Sequence, residues 1–220
     1  MKPSTPPRKD GHNMRKGLVI VLSGPAGSGK DTLLDRYFKF GTVKKTVSAT
    51  TRAIRPNEID GRDYHFYTRE RFEKAIAGGE LLEYIEYAGN YYGTLCSEID
   101  RITAAGDDVI LKIEVEGGQN VKKRFPEAVL IFTVPPSGEI LASRLKNRGT
   151  EDEQTVKKRL AVAEIEIEIA KKAYDYLIIN NDADDAARKF AEIISARHAA
   201  MSKNIDFMNE VRDDVKNHIL

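Results

Sequence analysis

The sequence predicts an α/β fold in which helices cover both faces of a parallel β-sheet, and three observations support this prediction. Residues 17–23 form a short, continuous apolar run, which is typical of a strand buried on both faces. A glycine-rich turn and a helical segment follow this run directly. Strand-like and helical segments then alternate along most of the chain, and this alternation favours parallel strands joined by helical crossovers.

The remaining elements follow in chain order. Strands are predicted over 43–50, 108–115, 129–134 and 176–179, and helices over 31–40, 119–124, 137–147 and 184–200. Residues 155–174 carry two patterns, because 164–169 alternates apolar and charged residues as a strand does. The longer pattern favours a helix, since its apolar positions are spaced by three and four residues: Val156, Leu160, Ala163, Ile167, Ala170 and Tyr174.

Residues 17–200 are predicted to form one domain with an inserted lobe and a lid. The lobe, rich in Arg, Tyr, Glu and Gly, occupies 48–97, and the lid region occupies 136–174. Residues 1–16 are polar and contain three prolines, so we expect a disordered tail there, and 201–220 are expected to form a helical C-terminal extension. The core consists of the remaining segments, 17–47, 98–135 and 175–200.

Composition excludes several classes of partner. The 220 residues include 35 Lys and Arg against 34 Asp and Glu, which gives no broad electrostatic footprint for nucleic acid or an anionic membrane. No apolar run approaches the length needed to span a bilayer. The single cysteine, Cys96, excludes an internal disulfide and fits a reducing compartment, so a cytoplasmic location is expected. Monomer and homodimer both remain open.

A phosphate-binding loop is predicted directly after the first strand. Its spacing, G-x-x-x-x-G-K, is that of a P-loop, whose glycines let backbone amides point at phosphate oxygens while the following helix adds partial positive charge. Because strand and helix stand in the required places, a chance glycine turn is disfavoured. The motif predicts a P-loop NTPase fold with a five-stranded parallel core. The expected ATP-binding residues are Gly24, Pro25, Ala26, Gly27, Ser28, Gly29, Lys30, Asp31 and Thr32.

The residue after the loop lysine is unusual. A Ser or Thr hydroxyl normally stands there and binds Mg²⁺, whereas this chain has Asp31, with Thr32 one place later. An aspartate can bind magnesium directly or through water, because hard cations prefer oxygen ligands. Without a metal to screen it, the same carboxylate would repel the nucleotide. Asp31 is therefore the predicted metal ligand, with Mg²⁺ bound together with ATP, while Lys30 reaches the β- and γ-phosphates.

Four motifs after the loop occur in the order found in guanylate kinases. They are S-x-T-T-R-x-x-R-x-x-E at 48–58, Y-x-F at 64–66, L-E at 82–83 and G-N-x-Y-G-T at 89–94. On these motifs and the P-loop, residues 17–195 resemble the guanylate kinase family. The resemblance implies an enzyme that uses ATP to phosphorylate GMP to GDP, with 48–97 as the GMP-binding lobe.

The side chains of the lobe suit this acceptor. Arg52 and Arg55 place two guanidinium forks where they can grip a phosphate dianion, although arginines in a turn often lie solvated on a surface. The carboxylate of Glu83 can accept from N1–H and the exocyclic amine of guanine together, which adenine does not offer. The resemblance adds further expected GMP contacts, which are Ser48, Tyr64, Tyr92, Gly93, Thr94 and Glu114.

A lid over ATP is implied by later motifs, P-P-S at 135–137 and R-L-x-x-R-G-T at 144–150, followed by another R-L pair. By similarity to the family, Arg144, Arg148 and Arg159 close over the transferring phosphoryl group and stabilise its charge. The alternative is that they are solvent-facing helix arginines paired with nearby acids. Asn180 matches a family position near adenine. The expected catalytic residues are Lys30, Arg52, Arg144, Arg148 and Arg159.

One strand departs from the family pattern. The family often reads D-I-D-x-Q-G where this chain has K-I-E-V-E-G, so Lys112 replaces the first acid and Glu114 the second. In P-loop folds the end of this strand lies close to the start of the first helix. We therefore expect Asp31 and Lys112 to be spatial partners, with Asp31 helping to replace the lost acid at the metal site.

Two other functions fit parts of the sequence. G-K-D-[ST] also resembles the P-loop of ribose 1,5-bisphosphate phosphokinases, but those enzymes would not need Glu83 or Thr94 to read a base. A non-enzymatic guanylate-kinase-like module that binds peptides would not need an intact Lys30 or the lid arginines. Both are therefore disfavoured against GMP phosphorylation.

Overall fold

The computed structural model describes residues 16–147 and 153–219. In chain order its strands are β1 Val19–Ser23, β2 Lys44–Lys45, β3 Ala49–Thr50, β4 His65–Phe66, β5 Leu81–Tyr87, β6 Asn90–Leu95, β7 Val109–Lys112, β8 Val129–Val134 and β9 Tyr176–Ile179. Its helices are α1 Lys30–Tyr37, α2 Arg69–Ala77, α3 Cys96–Ala104, α4 Val115–Arg124, α5 Gly138–Lys146, α6 Glu153–Ala173, α7 Ala183–Ala199 and α8 Ile205–Ile219, with a 3-10 helix at Met201–Lys203.

The main sheet has five parallel strands in the order β2-β7-β1-β8-β9. This arrangement confirms the predicted α/β fold with a five-stranded parallel core. The central strand β1 pairs on both sides, with Ile20 opposite Ile110 of β7 and opposite Val129 of β8. The loop that follows β1 therefore leaves from the middle of the sheet, at its carboxyl edge, where ligands of open α/β sheets bind.

The continuous apolar run of β1 follows from its position. Ile20 and Leu22 pack on the face that α1 and α7 cover, whereas Val21 packs on the face that α3 and α4 cover. Successive side chains of a strand point to opposite faces, so a strand covered on both sides has to be apolar at every position.

A second sheet of four short strands, in the order β4-β3-β6-β5, lies between β2 and β7 in the chain. β5 and β6 form an antiparallel hairpin, and β3 pairs antiparallel with β6 and parallel with β4. Helix α2 covers this sheet and supplies Phe72, which is fully buried against Ala49 and Leu95. The second sheet therefore has a small apolar core separate from the main one.

Two predicted strands need correction. Residues 43–50 are not one strand: Lys44–Lys45 pairs with β7 at the edge of the main sheet, whereas Ala49–Thr50 belongs to the second sheet. A β-branched run indicates strand propensity but not which sheet the strand joins. The strand predicted over 108–115 ends at Lys112, and the chain turns at Glu114, the N-cap of α4.

Helices α2 and α3 are missing from the sequence prediction. Each has nine residues and lies within or beside the polar inserted segment, where the apolar stripe is short. The other predicted helices and strands are confirmed to within a few residues, including the helical reading of 155–174, which is part of α6. The division into core, lobe and lid stays a prediction.

The C-terminal extension contains α8, whose apolar residues Phe207, Met208 and Val215 are exposed. Across residues 16–147 and 153–219, none of the helices combines the length and the apolar character that crossing a bilayer requires.

We predict that Phe72→Ala destabilises the protein by about 3–5 kcal/mol, because it empties the centre of the second sheet's core. Phe72 also stacks on Tyr91, with 5.2 Å between ring centroids. The matched control is Phe207→Ala on α8, where the ring is exposed and the expected change is below ~0.5 kcal/mol. Urea unfolding monitored by circular dichroism measures both, and equal effects of the two variants would contradict the prediction.

Candidate active site

The phosphate loop lies at the carboxyl edge of the main sheet, between β1 and α1. Gly29 is the N-cap of α1 with a left-handed backbone (φ 87°), and a Cβ there would collide with the amide of Asn180. Gly24 (φ 152°) approaches the carbonyl of Thr133 so closely that a side chain would overlap it. These two glycines let the backbone curl in front of a helix N-terminus, the arrangement that phosphate binding needs.

Lys30 folds back onto this loop. Its Nζ donates to the carbonyl oxygens of Gly24 and Pro25, the latter at 3.1 Å. Burial lowers the pKa of Lys30, and the carboxylates of Glu114 and Glu166 oppose this shift. The ammonium group therefore lies inside the curl of the loop, where nucleotide phosphates can take over the role of the two carbonyls.

Asn180 hydrogen-bonds to the phosphate loop, and Arg144 hydrogen-bonds to Asn180. Asn180, only 3% exposed, donates from Nδ2 to the carbonyls of Ser28 (3.0 Å) and Gly29 (3.2 Å). Arg144 of α5 in turn donates to the carbonyl of Asn180 at 3.1 Å, which brings its guanidinium beside the loop. The structure thus brings these two predicted ATP-site residues together.

The other two predicted lid arginines are placed differently. Arg159 is half-buried on α6, and Arg148 lies outside the described residues. Among the lid residues that the structure describes, Arg144 contacts the phosphate-loop region through Asn180.

In the second sheet, Arg52 is held as a rigid fork by Glu58. Its Nη1 and Nη2 donate to the two carboxylate oxygens at 3.1 and 2.8 Å. The hydrogen bonds raise the pKa of Arg52 and lower that of Glu58. The guanidinium also lies over the ring of Tyr64, 5.5 Å from its centroid, and Tyr64 in turn packs edge-on against Tyr92, with 6.1 Å between ring centroids. This Arg52–Tyr64–Tyr92 group is called the clamp below.

Glu58 is not among the predicted site residues, although it is part of the S-x-T-T-R-x-x-R-x-x-E motif. Its carboxylate also accepts from the backbone N–H of Arg55 at 2.8 Å, so it joins both predicted arginines. Arg55 itself is exposed at the rim. Ser48 is half-buried, and its carbonyl accepts from the backbone N–H of His65 at 2.9 Å.

Glu83 lies at the junction of the two sheets. The β5–β6 register places it opposite Thr94, which is 6% exposed and donates to its carboxylate at 3.4 Å. Its other carboxylate oxygen faces Gly117 near the start of α4. Burial raises the pKa of Glu83, and the charge of Glu114 adds to that shift. The buried Gly93 on β6 leaves no room for a side chain beneath Phe72.

Glu166 reaches the same junction from α6. The residue is 9% exposed, and the carboxyl of Glu114 lies near enough to influence its charge. Burial, and then the neighbouring Glu114, raise its pKa to about 7, while Lys30 opposes the shift. Glu166 is missing from the sequence prediction. The signal was its spacing, since Ala163, Glu166 and Ala170 fall on one buried helix face.

The predicted pairing of Asp31 with Lys112 is confirmed, because the two side chains form an ion pair between the first turn of α1 and the end of β7. Both are largely exposed, so the pair contributes little stability and can exchange partners readily. Thr32 is also exposed on this turn. The metal role of Asp31 stays a prediction.

These features define a class of protein. A phosphate loop with its lysine stands at the centre of a parallel sheet, and a second sheet carries an arginine–tyrosine clamp and a half-buried acid. The fold and site are those of a P-loop kinase.

The chain belongs to the guanylate kinase family, whose sequence profile matches residues 16–197. It is 47% identical over 192 residues to the guanylate kinase of Halalkalibacterium halodurans, covering 87% of this chain and 94% of the relative. It is 42% identical to that of Lactococcus lactis subsp. lactis, covering 91% and 98%. The crystal structure of guanylate kinase from Anaplasma phagocytophilum superposes with a TM-score of 0.59 at 30% identity, covering 87% of this chain and 92% of that one.

Proposed function

We propose that this protein is a guanylate kinase that converts ATP and GMP into ADP and GDP by direct in-line phosphoryl transfer. The observation that carries the proposal is the placement of Glu83. This carboxylate is half-buried in the second sheet, and Glu114 acts both on it and on the phosphate-loop lysine. The acid that binds the guanine of GMP is thereby coupled, through Glu114, to the lysine that binds the phosphates of ATP. Family membership and the names of the relatives support the same reaction.

On the donor side, the backbone curl between Gly24 and Gly29 holds the phosphate chain of ATP. Lys30 leaves the carbonyls of Gly24 and Pro25 and pairs with the β- and γ-phosphates. Arg144, joined by Arg148 and Arg159 when the lid closes, stabilises charge on the transferring oxygens. Asn180 holds the loop in shape and borders the adenine.

On the acceptor side, the clamp and Arg55 bind the phosphate of GMP. Glu58 keeps the Arg52 guanidinium in one orientation before the ligand arrives, which reduces the entropy lost on binding. Tyr64 and Tyr92 supply hydroxyl donors next to it. Ser48 and Gly93 border the same pocket.

The base is read at the junction of the sheets. Guanine offers N1–H and an exocyclic amine, which match the carboxylates of Glu83 and Glu114. The hydroxyl of Thr94, which donates to Glu83 in the structure, turns to donate to O6. Burial raises the pKa of Glu83, and the charge of Glu114 adds to the shift, while the hydrogen bond from Thr94 opposes it. Guanine provides N–H donors to this carboxylate, whereas adenine leaves the acid unpaired.

Magnesium fits this site as part of MgATP. Within the described residues, no three His, Cys, Asp or Glu side chains cluster closely enough to form a metal cage. The exposed carboxylate of Asp31, at the start of α1, suits an ion that keeps its waters and takes its other ligands from nucleotide phosphates. When bound, Mg²⁺ would neutralise phosphate charge.

The proposal places the enzyme in the cytoplasm, as a monomer or a homodimer. The substrates are small molecules of the cytoplasm, and the single cysteine fits a reducing compartment.

The direct test is an assay of ADP formation with GMP, AMP, UMP and ribose 1,5-bisphosphate as acceptors, with and without magnesium. We expect turnover with GMP and magnesium far above that with the other acceptors. Lys30→Ala should lower kcat by about 100- to 1,000-fold with every acceptor, because it removes a donor to the transferring group. Lys39→Ala, at an exposed position just after α1, is the control. Preference for ribose 1,5-bisphosphate, or no ADP formation, would overturn the proposal.

We predict that Glu83→Gln lowers the ratio of kcat/KM for GMP over AMP by roughly 100-fold. The substitution replaces one carboxylate oxygen with an amide NH2 group, which donates hydrogen bonds and cannot accept one from guanine. Most of the loss should appear in KM for GMP. Glu86→Gln, an exposed acid on the same strand, should leave the ratio unchanged. An unchanged ratio in Glu83→Gln would remove base reading from this carboxylate.

We predict opposite effects for the two members of the Asp31–Lys112 pair. Asp31→Ser should raise the magnesium concentration for half-maximal rate by about tenfold, the scale of losing a supporting ligand group. Lys112→Gln should lower it, because Lys112 competes with the ion for Asp31. Magnesium titrations at fixed ATP and GMP measure both. An unchanged magnesium requirement in Asp31→Ser would refute the metal role.

A further inference from the structure

Helix α8 carries an apolar stripe that is exposed in the structure. Phe207, Met208, Val211 and Val215 lie on one side of the helix, because their spacing is helical, and each is between 39% and 54% exposed. Every side chain from 205 to 218 is classed with them as exposed. A helix of 15 residues is only marginally stable in water unless its apolar side packs against another surface. The stripe is therefore one half of an interface.

The base of α8 is fixed to the body of the protein. Lys203, just before the helix, forms an ion pair with Glu127 at 3.1 Å. Asn204 donates from Nδ2 to the carbonyls of His198 (3.0 Å) and Ala200 (2.8 Å) at the end of α7. These bonds hold the first turn of α8 in one direction, so the helix is an arm that loses little entropy when it docks.

A groove of about 580 Å³ between α4 and α6 offers a matching apolar surface. Its apolar residues are Ala161, Ile165 and Ile169, which lie on the outer side of α6, and Ile165 is 61% exposed. This is a second apolar side of α6, in addition to the buried one that contains Ala163 and Ala170. At a rise of ~1.5 Å per residue, the lining segment 161–172 and the stripe of α8 are both about 15 Å long.

The charges beside the two surfaces are complementary. On α8, Arg212 and Lys216 stand four residues apart along one side of the stripe. On α6, Glu164 and Glu168 stand four residues apart along the side of the groove. Two bases and two acids with equal spacing come opposite each other when the helices lie side by side.

The opposite sides match as well. The other side of the α8 stripe carries Glu210 and Asp214. The α4 side of the groove contains Gln119, and the exposed Lys123 follows it one helical turn later. A helix in the groove would thus have bases toward α6 and acids toward α4.

The present partners of these charges are weak. Arg212 and Lys216 pair with Asp213 of their own helix, and Glu168 pairs with Lys171 of its own. All these side chains are more than half exposed, and such surface pairs contribute little and exchange readily. Docking of α8 therefore costs little in lost ion pairs.

The chemistry of the two surfaces selects a second copy of this chain as the partner. α8 has more acids than bases, Asp206, Glu210, Asp213 and Asp214 against Arg212 and Lys216, which disfavours an anionic membrane. Because α8 is exposed along its length, it does not lie in the groove of its own chain. Two copies that exchange their helices cover both surfaces of each and close on themselves by two-fold symmetry.

We propose that this protein forms a dimer in which each copy docks its α8 in the α4–α6 groove of the other. The apolar stripe of α8 packs on Ile165 and Ile169, and Arg212 and Lys216 pair with the acids beside them. This interface goes beyond the proposed function, and its test requires no substrate.

The test measures dimerisation of the full chain by analytical ultracentrifugation over a range of protein concentrations. We expect wild type to dimerise, and Arg212→Glu combined with Lys216→Glu to raise the dimer dissociation constant by about 100-fold, because attractive charge contacts become repulsive. Glu164→Lys combined with Glu168→Lys should weaken the dimer for the same reason. All four substitutions together should restore the dissociation constant to within about tenfold of wild type, because opposite charges face each other again.

The matched control is Lys39→Glu combined with Lys189→Glu, which changes the net charge as Arg212→Glu with Lys216→Glu does. Both positions are exposed, just after α1 and on α7, and these helices cover the other face of the main sheet. The control should leave the dissociation constant unchanged. Circular dichroism checks that every variant is folded.

A wild type that stays monomeric at every concentration would overturn the proposal. Failure of the fourfold variant to regain dimerisation would also overturn it, because two α8 helices packed on each other would not respond to Glu164 or Glu168. Assemblies larger than a dimer would overturn the reciprocal exchange. GMP turnover by a monomeric wild type would leave the proposed function standing without this interface.

Discussion

Unbalanced buried charge at the junction of the two sheets is the constraint on which the site depends. The carboxylates of Glu114 and Glu166 both act on Lys30, and Glu114 also acts on Glu83. Burial raises the pKa of Glu83 and of Glu166, because shielding from water disfavours the charged carboxylate. In the proposed function, the N–H groups of guanine stabilise the charge of Glu83, whereas a base that brings only acceptors does not. The proposed selectivity therefore depends on the burial of this carboxyl as well as on the groups around it.

The fold makes this junction possible by bringing three separate supports to one place. β5 holds Glu83 in register with Thr94, the turn after β7 places Glu114 at the N-cap of α4, and α6 carries Glu166 on its buried face. The parallel sheet supplies the fourth group, because the loop after its central strand contains Lys30. No two of these acids are neighbours in sequence, so their meeting is a product of tertiary structure alone.

The parts of the fold that the sequence predicts well are those with a local signature. Three local patterns each predict the element that contains them. They are the apolar run of β1, the glycine spacing of the loop and the three-and-four spacing of α6. The split of 43–50 between two sheets has no such signature, since Lys44–Lys45 and Ala49–Thr50 differ only in their partners. Glu58 is missing from the sequence prediction for a related reason: it acts by holding Arg52, and sequence spacing shows a residue's own face but not its partner.

The folded-back position of Lys30 bears on how the catalytic cycle ends. An ammonium group left in an empty, partly buried loop would have no partner, and stranding it would cost free energy each time a nucleotide departed. The carbonyls of Gly24 and Pro25 provide a resting place for that charge. In the proposed function, departure of ADP exchanges one set of oxygen partners of Lys30 for another, so the ammonium group keeps acceptors throughout the cycle.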